Sequence, residues 1–227
     1  MNWRNLVSHK VFLWSAATIV VIGVSVGLSR HYSSSSNANK IDLSPQMFGI
    51  GSKKVKKLTS INLVDDEGRQ LGPSSFQGKW HLVLLGFTSC PDVCPFTLAN
   101  LSAVHDKISE DALPKDIPTV ILISVDPYRD KIADLRNYVR HFNPKFRAAT
   151  GTKEMIDQFV KGIGGFYEFI PKKDDNTYRV NHSAEVFVVD PLGRVVESLN
   201  PPLVPHVTAT QFQKMISLFH KTNAPHL

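Results

Sequence analysis

The chain has 227 residues, 42% of them hydrophobic, and its 26 basic and 20 acidic side chains give a formal net charge of +6. This length suffices for one domain of ordinary size with appendages, and the apolar share fits a globular core. No basic stretch is interleaved with aromatic residues, so we expect no nucleic-acid partner.

An apolar stretch lies close to the amino terminus. Residues 11–28 form an uncharged run between Lys10 and Arg30. A helix of that length rises about 27 Å, close to the hydrocarbon thickness of a bilayer. The residues 26–29 match a signal-peptide cleavage site poorly. We therefore expect a retained membrane anchor over residues 1–30, with one transmembrane helix and the rest of the chain exported.

The next segment is polar. Residues 33–39 are serine, asparagine and alanine, and residues 53–57 carry four lysines. Low-complexity polar segments of this kind are typical of flexible linkers, and we expect the lysines to be solvated. The pattern predicts a tether over residues 31–57 and a globular domain over residues 58–227.

Predicted strands and helices alternate through this domain. It opens with a hairpin that turns at residues 65–68, and the first crossover is a buried strand at 80–86 followed by a helix at 95–108. The further predicted elements are a strand at 119–125, a helix at 130–142, a strand at 146–149, a helix at 152–162, a core strand at 166–169, a hairpin of 183–189 with 194–198, and an amphipathic helix at 209–221. A parallel β-α-β core with an added antiparallel hairpin and a final helix indicates an α/β, thioredoxin-like fold with an N-terminal hairpin.

Both cysteines, Cys90 and Cys94, lie between the first buried strand and its helix. At the start of a helix, unpaired N–H groups and the helix dipole favour the thiolate, which binds metals and exchanges disulfides. A disulfide that spans three intervening residues would restrict the unfolded chain very little. We therefore interpret the pair as functional, either as metal ligands or as a redox pair.

Three motifs together resemble the Sco/SenC family, membrane-anchored thioredoxin-like copper proteins linked to cytochrome c oxidase assembly. They are Thr-Ser-Cys-Pro-Asp-Val-Cys-Pro at 88–95, Val-Asp-Pro-Tyr-Arg-Asp at 125–130 and Tyr-Arg-Val-Asn-His-Ser at 178–183. The resemblance implies that Cys90, Cys94 and His182 bind one copper ion per monomer. Asn181 stands where the family commonly has Asp, a departure that concerns the tuning of the site more than its ligands.

The donor chemistry agrees with that implication. Two thiolates and one imidazole suit Cu(I) and can also hold Cu(II), whereas a closed zinc site prefers a fourth protein ligand. His105 lies about 16 Å from Cys94 along the same predicted helix and cannot reach the cysteines. We expect His182 to begin the strand after a long loop that packs against the cysteine turn. The segment that faces the cysteines, residues 180–183, has no proline, and the Cys-x₃-Cys spacing also departs from ordinary oxidoreductases. Both departures favour metal binding over general disulfide exchange.

Three acidic residues flank the expected site. Asp126 ends a predicted buried strand, and two roles stay open for it: orienting a ligand or contacting a partner, or capping a turn or helix before Pro127. Asp92, between the cysteines, is expected to be solvated. Asp130 is expected to form a local ion pair with Arg129.

Two functions follow as expectations. The first is a copper metallochaperone that delivers copper to the dinuclear centre of cytochrome c oxidase; its partners would be the copper-accepting subunit, other copper chaperones and a thiol reductant. The second is a thiol–disulfide oxidoreductase that reduces the acceptor's cysteines. A peroxiredoxin-like peroxidase is a weaker alternative, since Phe87-Thr88-Ser89-Cys90 resembles its active-site run but no arginine accompanies that motif.

The amino terminus also bears on location. No Arg-rich and Ser-rich presequence precedes the apolar run, and such presequences are typical of mitochondrial import. We therefore expect a single-pass protein of the bacterial inner membrane with its soluble domain in the periplasm.

Overall fold

A computed structural model describes residues 55–172 and 177–223. The predicted anchor, residues 1–30 with its apolar run at 11–28, and nearly all of the predicted tether lie outside these ranges. Within them, no helix combines the length and apolar character that crossing a membrane requires.

The described residues form strands and α-helices that alternate through most of the domain. They are β1 Lys56–Lys57, β2 Leu63–Asp65, β3 Gln70–Leu71, β4 His81–Gly86, α1 Val93–Asp111, β5 Thr119–Ser124, α2 Ile132–Phe142, β6 Arg147–Thr150, α3 Lys153–Ile163, β7 Tyr167–Pro171, β8 Tyr178–His182, β9 Val186–Val189, β10 Arg194–Leu199 and α4 Pro205–Asn223. Short 3₁₀ turns occupy Pro73–Phe76 and Pro114–Asp116.

Eight of these strands form one sheet, in the order β1-β10-β9-β4-β5-β6-β2-β3. Its centre is parallel: β5 pairs with both β4 and β6, and α1 and α2 make the crossovers between them. The strands β9 and β10 and the β2–β3 hairpin add antiparallel edges. All six residues of β4 are buried, because a central strand of such a sheet is covered on both faces.

Helices cover both faces of the sheet. Along β4, Val83 and Leu85 belong to the core beneath α3, whereas Leu82 and Leu84 belong to the core beneath α1, α2 and α4. This division follows from the alternation of side chains along a strand. The cysteine turn lies at the end of β4, where strand and helix meet.

The β7–β8 hairpin differs from the prediction. The predicted core strand at 166–169 is instead β7, which pairs with β8 in a separate two-stranded sheet, and β8 is not among the predicted strands. His182 ends β8, while the next strand begins at Val186. The burial pattern explains why β8 was not predicted. Its residues alternate between partly buried and exposed, as in a strand with one solvent-facing side, and they form no continuous apolar run.

The last helix is longer than predicted. It begins at Pro205, four residues before the predicted start. Proline suits the first turn of a helix because its fixed φ is already helical and its missing N–H would have no intrahelical partner there.

Candidate metal centre

Hydrogen bonds fix the turn that carries the cysteines. The Cys90 N–H donates to the Phe87 carbonyl at 3.2 Å. The Asp130 carboxylate accepts bonds from the Thr88 N–H at 3.1 Å, from the Thr88 hydroxyl, and from the Ser124 hydroxyl at 2.6 Å. The predicted Arg129–Asp130 ion pair is therefore wrong: Asp130 is buried, and it ties the turn to the end of β5.

Gly86 lets Cys94 approach the strand closely. A Cβ at this position would lie 2.7 Å from Leu122 Cδ1 and 3.0 Å from Cys94 Sγ. The first distance is a clash, and the second is tighter than most Cβ contacts, so the Leu122 and Cys94 side chains would have to shift. The missing side chain therefore sets how deeply the Cys94 thiol sits beneath the turn, where it is 2% exposed.

The β7–β8 hairpin brings His182 to the cysteines. His182 pairs in register with Tyr167, and its ring stands edge-on to Phe87 at a centroid distance of 5.8 Å. Its Nδ1 lies 2.9 Å from the Ser183 carbonyl, so Nδ1–H donates there and Nε2 faces the cysteines. That Nε2 atom lies 3.4 Å from Cys94 Sγ.

The three predicted ligands thus converge. The two Sγ atoms and a ring nitrogen of His182 all lie within 4.8 Å of one another, and both thiols are free. A single metal ion could reach all three donors with little movement. Soft sulfur ligands combined with an imidazole fit copper.

The two thiols are electrostatically unequal. A hydrogen bond from the Cys94 thiol lowers the pKa of Cys90 to about 4, helped by His182 and by the N–H groups of Cys94 and Asp92 and opposed by burial. The same bond, together with burial, raises the pKa of Cys94. Without a metal, the pair therefore shares one proton and holds one negative charge at neutral pH.

A cleft gives access to the site from solvent. Its volume is about 470 Å³, and Cys90 and His182 both line it. The remaining lining residues are Phe87, Ser89, Pro91, Asp92, Val93, Arg129, Lys172, Tyr178, Arg179, Val180 and Asn181. An incoming ligand or partner can therefore reach Cys90 and His182 without unfolding of the domain, whereas Cys94 lies beneath them.

Asp126 lies near the site but does not join the donor cluster. It is fully buried, and it accepts hydrogen bonds from the Tyr178 hydroxyl at 2.7 Å and from Arg129 Nε. The N-cap of α2 is Lys131, so Asp126 does not cap that helix. Sequence reasoning missed the contact with Tyr178, which lies 52 residues away on another element; the period-2 pattern of β8 could have indicated the strand but not this partner.

Other predicted positions agree with the structure. Asp92 is exposed. His105 is buried in α1 with its ring 6.0 Å from that of Phe146, and it takes no part in the donor cluster.

Comparison with known sequences identifies the family. The SCO1/SenC family model matches residues 52–217. Protein sco1 of Schizosaccharomyces pombe is 32% identical over 204 residues, which cover 86% of this chain and 72% of that protein. The mitochondrial SCO1 homolog of Homo sapiens is 35% identical over 137 residues, which cover 60% of this chain but only 45% of the human protein.

Solved structures show the same fold. Arabidopsis thaliana ScoI with copper bound superposes with a TM-score of 0.64 at 30% identity, covering 70% of this chain and 96% of that chain. Bradyrhizobium japonicum ScoI with copper bound gives 0.61 at 31% identity, covering 68% and 96%. These similarities confirm the predicted α/β, thioredoxin-like fold. With the family match over residues 52–217, they show that the chain belongs to the SCO1/SenC family.

Proposed function

We propose that this protein binds one copper ion through Cys90, Cys94 and His182 and delivers it to the dinuclear copper centre of cytochrome c oxidase. The observation that carries the proposal is the convergence of two thiols and an imidazole within 4.8 Å beside an open cleft. Copper-bound structures of two relatives at about 30% identity support copper as the metal.

The donor set suits a metal that is handed on. Three protein donors leave room for a ligand of the acceptor to bind the copper before the donor's own ligands leave, so transfer proceeds by ligand exchange. Metal binding requires deprotonated thiols, and an oxidised Cys90–Cys94 pair could not be loaded. The acceptor subunit is therefore the principal partner, and a thiol reductant is the second.

Transfer to an acceptor tests delivery directly. The copper-loaded protein would be mixed anaerobically with the copper-free, reduced copper domain of an oxidase subunit, and copper would be measured in each protein after separation. We expect copper to move to the acceptor. Retention of copper on the donor while a small chelator removes it readily would contradict delivery.

The second candidate function is reduction of the acceptor's disulfide. It is favoured by the hydrogen-bonded thiol pair, in which Cys90 has the lowered pKa expected of an attacking thiolate. His182→Ala separates the two functions: we expect it to weaken copper binding strongly but to leave disulfide exchange with a model dithiol largely intact. Loss of both activities together would show that exchange also needs the imidazole.

We further propose that residues 1–30 anchor the protein in a bacterial inner membrane and that residues 31–57 tether the copper-binding domain, residues 58–227, in the periplasm. The apolar run at 11–28 supports this arrangement. An anchor would hold donor and acceptor in one membrane and raise their effective concentration. Fusing residues 1–30 to a reporter that is active only in the periplasm tests it.

A further inference from the structure

One copper donor lies on an element outside the main sheet. His182 belongs to the two-stranded β7–β8 sheet, whereas both cysteines lie on the main body, Cys90 between β4 and α1 and Cys94 in the first turn of α1. An isolated two-stranded hairpin is marginally stable at best. The position of the imidazole therefore depends on what fixes the hairpin to the body.

The hairpin contacts the body at several points, among them the bond of the Tyr167 hydroxyl to Asp157. One of these contacts is a group of three side chains, Asp126, Arg129 and Tyr178, which we call the clamp. The Tyr178 hydroxyl donates to Asp126 Oδ1 at 2.7 Å, and Arg129 Nε donates to Asp126 Oδ2. The guanidinium carbon of Arg129 lies 4.2 Å from the centroid of the Tyr178 ring. Tyr178 belongs to the hairpin, whereas Asp126 and Arg129 follow β5 on the body.

The clamp reaches the donor from two directions. Tyr178 and His182 are the first and last residues of β8, and the alternation of side chains places them on the same face. On the body side, Arg129 also lies over the ring of Phe87, at 5.5 Å, and that ring meets the edge of His182. The body thus contacts the hairpin at both ends of β8, through the clamp at Tyr178 and through Phe87 at His182.

Because the Asp126 carboxylate is buried, losing one of its hydrogen bonds would be costly in free energy. Asp126 is fully buried, and a buried carboxylate that loses a partner bears the full cost of its desolvation. Burial of the Tyr178 hydroxyl and its bond to Asp126 raise the pKa of Tyr178 to about 12, so the hydroxyl keeps its proton and donates at neutral pH. The clamp therefore favours one closed arrangement strongly.

We propose that Tyr178, held by Asp126 and Arg129, is the positioning residue that keeps His182 over the cysteines. Opening the clamp would withdraw the imidazole while both thiolates still hold the copper, and the acceptor's ligand would take the vacated position. This inference rests on the proposed copper-binding function and adds the step at which the ion becomes exchangeable.

Tyr178→Phe tests the proposal, since it removes the hydroxyl and keeps the ring. We expect Cu(I) to pass to a competing chelator roughly tenfold faster than from the wild type, the change that loss of one hydrogen bond to a charged group implies. Tyr128→Phe is the control: its side chain is 68% exposed, and the substitution keeps the ring that meets Phe169, so release should be unchanged. An unchanged rate in Tyr178→Phe would overturn the proposal.

A second readout does not need copper. In the reduced, metal-free protein, nuclear Overhauser contacts between the rings of His182 and Phe87 report whether the imidazole is in place. We expect these contacts in the wild type and in Tyr128→Phe, and their weakening or loss in Tyr178→Phe. Contacts of equal strength in all three proteins would contradict a positioning role.

The two readouts separate the two claims. If the wild type binds no copper, the copper function is refuted. If Tyr178→Phe loses the ring contacts in the same experiments, the positioning role is still supported. Arg129→Lys provides an independent variant if Tyr178→Phe does not fold: it keeps the positive charge but removes the flat group that lies over the Tyr178 and Phe87 rings. It should change both readouts in the same direction, and wild-type behaviour in both would contradict the clamp.

Discussion

At the scale of single residues, Gly86 controls how closely strand and helix approach at the cysteine turn. An added methyl group would collide with Leu122 Cδ1 and Cys94 Sγ, at 2.7 and 3.0 Å. Overpacking of a tight core contact costs about 1–3 kcal/mol. We expect Gly86→Ala to lower the free energy of unfolding by that amount, measured by urea denaturation, and to alter copper affinity as Cys94 shifts.

Gly162 provides the matched control for this substitution. It lies inside α3, and a Cβ there would meet only Leu58 Cδ2, at the ordinary contact distance of 3.8 Å. Alanine in place of glycine within a helix is favourable by up to about 1 kcal/mol. Gly162→Ala should therefore be neutral or slightly stabilising. Equal destabilisation by both substitutions would mean that the contacts around Gly86 are not the cause.

The buried His81 should make the free energy of unfolding depend on pH. The side chain is buried at the start of β4, against the ring of Phe76. Burial lowers its pKa from 6.5 to about 4. Between these pH values, His81 is protonated in the unfolded chain but neutral in the folded chain. The contribution of His81 is therefore complete above pH 6.5 and falls as the pH drops from 6.5 to about 4.

The expected loss from His81 between pH 7 and pH 5 is about 2 kcal/mol. Urea denaturation at both pH values measures it, and His81→Gln should reduce the loss by about that amount. His206→Gln, at an exposed position, should not. An unchanged pH dependence in His81→Gln would show that other groups, such as buried His105, dominate.

At the scale of elements, sequence predicted the central strands well and the β7–β8 hairpin poorly. The apolar runs of β4 and β5 are long and uninterrupted, as strands covered on both faces require. The hairpin has one exposed face and contains no continuous apolar run. Its partners, such as Asp157 for Tyr167 and Asp126 for Tyr178, lie on other elements, and no local pattern predicts them.

Asp130 joins two elements, the cysteine turn and the end of β5, so its charge should contribute to stability. Asp130→Asn keeps the shape of the side chain but removes the charge that accepts bonds from Thr88 and Ser124. Bonds to a charged group contribute about 1.5–3 kcal/mol. We expect a loss of stability in that range, and faster backbone amide exchange at residues 88–90 by hydrogen-exchange mass spectrometry.

Asp134→Asn is the control on the neighbouring helix, where Asp134 is exposed in the first turn of α2. Its replacement should change stability by less than about 0.5 kcal/mol and leave exchange in the turn unaltered. Protection that stays at the wild-type level in Asp130→Asn would mean that the backbone alone holds the turn.

At the scale of the whole molecule, α4 closes one of the two cores. Phe212 is fully buried, with its ring 5.3 Å from that of Trp80. Removing a large buried aromatic side chain costs about 3–5 kcal/mol. We expect Phe212→Ala to lower stability by this amount in urea denaturation, whereas Leu218→Ala, at a residue of the same helix that is 63% exposed, should have little effect. A small loss in Phe212→Ala would show that α4 contributes little to the core.

The site as a whole was partly predictable. The cysteine turn followed from an apolar strand, a short motif and a helix, which are neighbours in sequence. His182 lies 88 residues beyond Cys94. Its assignment rests on a family resemblance and on its expected position after a loop that packs against the cysteine turn, and not on any spacing. Three other features depend on contacts between residues distant in sequence, so they appeared only in the structure. They are the clamp, the hydrogen bonds of Asp130 to the cysteine turn, and the close approach of Cys94 to Gly86.

Anaerobic titration of the reduced protein with Cu(I) tests the central claim most directly, with the wild type compared against Cys90→Ala, Cys94→Ala and His182→Ala. The convergence of the three donors predicts one copper per monomer in the wild type and lost or strongly weakened binding in each variant. Wild-type protein that binds no copper, or that retains full affinity after any one of these substitutions, would contradict the assigned ligand set.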